Sequence, residues 1–159
     1  MNTPNPFPRG DWPRLLSALP ATQVQQTAQA LCADCAVEDL SLPNAGLALL
    51  QLRDGALGDT YFLGEVPLAR AQVRLATRHG HSAEGAAQLL DDRAGLARAI
   101  AILDALLAGR LPGAEQALAL LHEGSEIRQA EARERRALLQ ATRVDFSRLG
   151  SSEEEMDDA

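Results

Sequence analysis

The sequence predicts an α+β fold with N-terminal helices, a four- or five-stranded antiparallel sheet and C-terminal helices. Three observations carry that reading. Apolar residues recur at helical spacing up to Leu31 and again beyond Asp92. Between these regions, from Ala36, the chain breaks into short segments punctuated by Gly, Pro and Asp. Helices, then strands, then helices is the segregated order of an α+β domain rather than the alternation of a parallel sheet.

Residues 1–10 contain three prolines and read as a flexible N-terminal arm. Asp11 is placed to cap a first helix, with Trp12 and Pro13 in its first turn and Leu15, Leu16 and Leu19 facing inward. Pro20 separates it from a second helix carrying Val24, Ala28 and Leu31. Strands follow in AVEDLSL and GLALLQLRD, split by Pro43-Asn44, and in TYFLGE and VPLARAQVRLA, split at Gly64. AEGAAQLLD is the candidate fifth, and Pro67 argues against a central position for its part of a strand. Asp91 or Asp92 is placed to cap a helix whose stripe Leu96, Ile100, Leu103 and Leu107 ends at Gly109 and Pro112. A last helical region runs from Gly113 to about Arg143, with a break expected at Gly124 and a solvated face where Glu131 precedes Arg135 by four residues. Residues 11–150 thus form one domain, and SSEEEMDDA (151–159) reads as a disordered acidic tail.

A chain of 159 residues buries about 70% of its unfolded surface and needs no disulfide or metal staple. Its charge of -7, with all fifteen basic residues arginine, argues against general nucleic-acid binding. No apolar run reaches membrane-span length and the N-terminus lacks a secretory pattern, so the expectation is a cytoplasmic protein.

Phosphate loops, dinucleotide glycine fingerprints, HExxH and GxSxG are absent from the sequence. Cys32-Ala33-Asp34-Cys35 lies at a helix C-terminus, whereas a redox dithiol favours an N-terminus. Zinc would need two more ligands from His79, His81 and His122. These cysteines therefore read as small, partly buried thiols, His79 and His81 as turn residues, and Asp91 and Asp92 as caps; no metal or cofactor is expected. The 66–75 segment is more informative. As a strand it places Val66, Leu68, Arg70, Gln72 and Arg74 on one face and Ala69, Ala71, Val73 and Leu75 on the other, which is the core face. Arginines spaced along a partly apolar face suit carboxylates on a partner surface.

The ordered segments AGLALLQLRDGALGDTYFLGEVPLARAQVRL, a glycine turn, ILDALL and ATRVDFSRL, with Trp12 near the N-terminus, resemble the PhnG family of the bacterial carbon–phosphorus lyase system. The most specific pieces are Phe62–Leu75 and Arg143–Phe146, within a resemblance spanning about residues 10–150. It implies an accessory subunit that works with PhnI-, PhnH- and PhnJ-like partners. The implied reaction displaces adenine from ATP by a phosphonate, giving an α-D-ribose 1-alkylphosphonate 5-triphosphate, with the displacement itself attributed to the PhnI-type partner. No catalytic residue carries over to this chain. The expected interface comprises Val66, Leu68, Arg70, Gln72 and Arg74 together with Arg143, Asp145 and Phe146, because a charged helix has little reason to end in Val-x-Phe unless those side chains are covered. Two alternatives stay open: an enzyme whose own phosphonate site uses Arg70, Arg74 and His79 or His81, and an unrelated self-associating adaptor. Homodimer formation by the isolated chain also stays open.

Overall fold

The computed structural model describes residues 5–142. Its elements are a 3-10 turn at Arg9–Asp11, helices α1 (Trp12–Leu16) and α2 (Ala21–Leu31), strands β1 (Cys35–Arg53), β2 (Thr60–Thr77) and β3 (Ser82–Leu89), and helices α3 (Ala94–Gly109) and α4 (Ala114–Ala141). The fold is α+β. The described residues fall into two compact units, divided between Ile127 and Arg128. Among the described residues no helix is long and apolar enough to cross a membrane.

Among the described residues the sheet has three antiparallel strands in the order β1-β2-β3, not four or five. The interruptions read as strand ends are irregularities inside long strands. Pro43 lies in a register shift of β1 between Ser41 and Asn44. Gly64, at φ 145°, follows Leu63, the extra residue of a bulge that puts Leu50 opposite Gly64 and Gln51 opposite Phe62. Pro67 is compatible with the central strand because the β2–β3 ladder stops at Ala69–Leu89, so at Pro67 only β1 is alongside. From there to the Asp54–Asp59 turn, β1 and β2 form a two-stranded ribbon.

Helix α3 is buried on all sides from Leu96 to Leu107 apart from Arg98, as its near-continuous apolar sequence requires. It packs on β2 and β3 and against α2, covering Ala69, Ala71, Val73 and Leu75 of the core face. Gly85 permits this approach: a Cβ there would lie 2.1 Å from Ala101 O. Asp91 accepts the Arg93 N–H at 2.8 Å, one step before the helix, and the N-cap is Arg93 rather than either aspartate. The left-handed residue closing the helix is Arg110 (φ 49°), with Leu111 N–H bonded to Leu106 O, so the stop lies one residue beyond Gly109.

Helix α4 runs through Gly124 without a break. A Cβ at Gly124 would come 2.2 Å from Leu15 O, so this glycine serves a close approach of backbones. Within the segment expected to be an arm, Phe7 meets the His122 ring edge-on at 4.9 Å and its carbonyl accepts the Trp12 indole N–H at 2.9 Å. The second unit, described through Thr142, is the C-terminal half of α4; there Arg128 pairs with Glu131 at 3.0 Å, and Leu138 and Leu139 are exposed.

Candidate functional site

β2 alternates as its sequence predicts. Ala69, Ala71, Val73 and Leu75 are buried, while Arg70 and Gln72 are exposed and Val66, Leu68 and Arg74 half-buried on the opposite face. The two arginines of that face differ in what they hold. Arg74 occupies a rung whose neighbours are Glu38 on β1 and Glu84 on β3. It bonds Glu38 at 3.0 Å and Glu84 at 2.7 Å. Chiefly the hydrogen bond to Glu84, then Glu38, pushes the guanidinium pKa above its ordinary value. Arg74 is therefore engaged by its own sheet.

Arg70 occupies the rung between Asn44 and Gln88. Its Nε donates to Asn44 Oδ1 at 3.2 Å, and among the described residues no carboxylate pairs with it. Arg70, Gln72, Gln88 and Ser41 line an open concavity of about 440 Å³. Its chemistry is one guanidinium without a carboxylate partner among neutral amides and a hydroxyl, which suits a carboxylate or another oxyanion.

The histidines do not join this group. His79 and His81 lie in the β2–β3 turn, where Thr77 N–H donates to His81 O at 2.8 Å, beyond a strand end that is about 23 Å along β2 from Arg70 at the usual rise. Cys32 closes α2 and Cys35 opens β1, both as free thiols. Burial, followed by the neighbouring Cys35, pushes the Cys32 thiol pKa up, which makes it a poorer nucleophile near neutral pH. Asp91 is held by Arg93, whose guanidinium hydrogen bond keeps its carboxyl below the usual range. Among the described residues no three His, Cys, Asp or Glu side chains are grouped to hold a metal ion. Arg143, Asp145 and Phe146 lie outside the described residues.

Sequence reasoning missed the β1–β2 ribbon. Leu47, Leu49 and Phe62 are each more than 60% exposed. The alternation was readable in GLALLQL, but splitting the strands at Pro43 and Gly64 concealed that these residues extend past the third strand.

The family model for phosphonate metabolism protein PhnG matches residues 7–150. A protein of Rhizobium meliloti (strain 1021), named alpha-D-ribose 1-methylphosphonate 5-triphosphate synthase subunit PhnG, is 39% identical over 106 residues. That match takes in 65% of this chain and 64% of the relative, just under two thirds of the relative's length.

Proposed function

The chain belongs to the PhnG family, and on that premise we propose that it is an accessory subunit of an α-D-ribose 1-methylphosphonate 5-triphosphate synthase acting in phosphonate breakdown in the cytoplasm. The observation that carries the reading is the family match across residues 7–150, supported by the subunit name of the Rhizobium relative. In this role the chain contributes binding surface. The displacement of adenine from ATP by a phosphonate falls to a PhnI-like partner, and PhnH- and PhnJ-like subunits complete the assembly.

The arginine face of β2 fits this role. Val66 and Leu68 give it an apolar end, and Arg70 has donors to spare for a carboxylate. We assign Val66, Leu68, Arg70 and Gln72 to the docking face, with Arg74 bracing the sheet beside them. Arg143, Asp145 and Phe146 belong to the same proposal as a second contact.

Reconstitution tests it. The purified chain alone should release no adenine from ATP, and adding it to the partner subunits should enable release that depends on methylphosphonate. One feature favours a second reading, an oxyanion site of this chain's own: the concavity beside Arg70. Under that reading Arg70→Glu would leave the assembly intact and remove its activity.

A further inference from the structure

The core face of the sheet continues past the region that α3 covers. Cross-strand partners share a face, so the buried Ala69 and its partner Ala45 lead on to Pro67 with Leu47, Glu65 with Leu49, and Phe62 with Gln51. Over Ala69 to Leu75 this face is sealed by α3. Beyond it, Leu47 is 67% exposed, Leu49 61% and Phe62 61%, and the bulged Leu63 beside them 62%. The other face of the ribbon does not compensate with polarity, since it carries Ala48, Leu50, Leu52, Val66 and Tyr61. Antiparallel strands that face water show a polar side, and a two-stranded ribbon is marginally stable alone.

We propose that the ribbon face formed by Leu47, Leu49 and Phe62 docks an amphipathic helix of a different subunit, whose apolar stripe is flanked by basic residues. Continuity argues for a helix, because the same face a few residues along β2 is covered by one, and a second helix extends that layer over the ribbon. Charge argues for a different, basic-flanked chain. The ribbon and its turn carry Glu65, Asp54 and Asp59 against Arg53 alone. A second copy would bring a chain of net charge -7, which sets acid against acid overall. Aromatic and large aliphatic side chains in a partly acidic surround are what a hot spot needs. This surface is opposite the arginine face, so the ribbon is gripped on both sides. The inference rests on the subunit role proposed above.

The test uses the full chain reconstituted with purified partner subunits, with a photoreactive phenylalanine analogue at position 49 and, separately, at position 62. Illumination should join both positions to a helical peptide of one other subunit. Leu49→Asp with Phe62→Asp should weaken assembly at least ~30-fold and leave the melting temperature of the isolated chain unchanged. Cross-links solely between copies of this chain, or none in a wild-type-like assembly, overturn the inference. Cross-linking to another subunit in an assembly that lacks methylphosphonate-dependent adenine release upholds the docking surface and removes the proposed function instead.

Discussion

Arg9 and Asp104, 95 residues apart, close the outer edge of β3. Arg9 Nε and Nη2 reach Asp104 Oδ1 and Oδ2 at 2.9 and 2.7 Å. Asp104 Oδ2 also accepts the Ala86 N–H at 2.9 Å, and Arg9 Nη2 donates to Glu84 O at 3.1 Å. The pair thus satisfies backbone groups that a fourth strand would otherwise take, which protects an edge from pairing with another chain. Asp104 is the buried charge of the core among the described residues, 3% exposed, and its hydrogen bond keeps the Arg9 pKa above its ordinary value.

Removing the exposed member of that pair should therefore be costly. Arg9→Ala leaves the Asp104 carboxylate with the Ala86 N–H as its remaining partner and should destabilise the fold by about 1–3 kcal/mol, below the range for a fully buried pair because Arg9 is more than half exposed and water can take its place. Asp104→Ala removes the carboxylate itself but leaves Ala86 N–H without its acceptor, for about 1–3 kcal/mol. Urea denaturation of the two variants checks both. A loss under 1 kcal/mol for Arg9→Ala would mean that the fork contributes little.

Gly85→Ala should cost at least about 1–3 kcal/mol, since the new methyl meets the backbone of α3 at Ala101 and Ala105 and not a flexible side chain. Gly46→Ala, with nothing within 4 Å of its Cβ position, should change stability by no more than ~0.5 kcal/mol. Thermal melts of the pair measure the difference directly.

The helices were legible because their pattern is local. The stripe Leu96, Ile100, Leu103 and Leu107 announces α3, and the alternation from Val66 to Leu75 identifies the core face of β2 from sequence alone. The strand count was not, because Pro43 and Gly64 normally end strands, whereas here register shifts and a bulge absorb them. Asp104 was equally hidden. An acid inside a helical apolar run reads as a solvent-facing residue, and its burial depends on an arginine 95 positions earlier. The same holds for Arg74: nothing in VPLARAQVRL reveals that Glu38 and Glu84 flank it, so sequence alone groups it with Arg70 as a partner-facing residue.

The two arginines should now separate experimentally. Arg74→Ala removes exposed, solvent-screened ion pairs and should lower stability only slightly, with co-purification of the partner subunits intact. Arg70→Glu should leave stability within ~0.5 kcal/mol and weaken co-purification, because it opposes carboxylate to carboxylate. The reverse pattern would contradict the assignment of Arg70 to the docking face.

Cys32 should be slow to alkylate. In a Cys35→Ser chain, burial still raises its pKa, so its iodoacetamide rate should keep rising above the ~8.5 of an ordinary thiol. The sign follows for stability. A thiol whose folded pKa exceeds its unfolded value contributes nothing below that unfolded value, and the folded state is progressively penalised above it as the unfolded chain ionises first. Stability of this variant should thus fall at alkaline pH more than that of the Cys32→Ala, Cys35→Ser chain. A rate already at its plateau at pH 8 would contradict the burial argument.

The most direct measurement is methylphosphonate-dependent adenine release from ATP by the purified partner subunits, with and without this chain. The partners alone should release little adenine, the chain alone none, and mixing them should restore release. Undiminished release without the chain, or adenine release by the chain on its own, would contradict the accessory role.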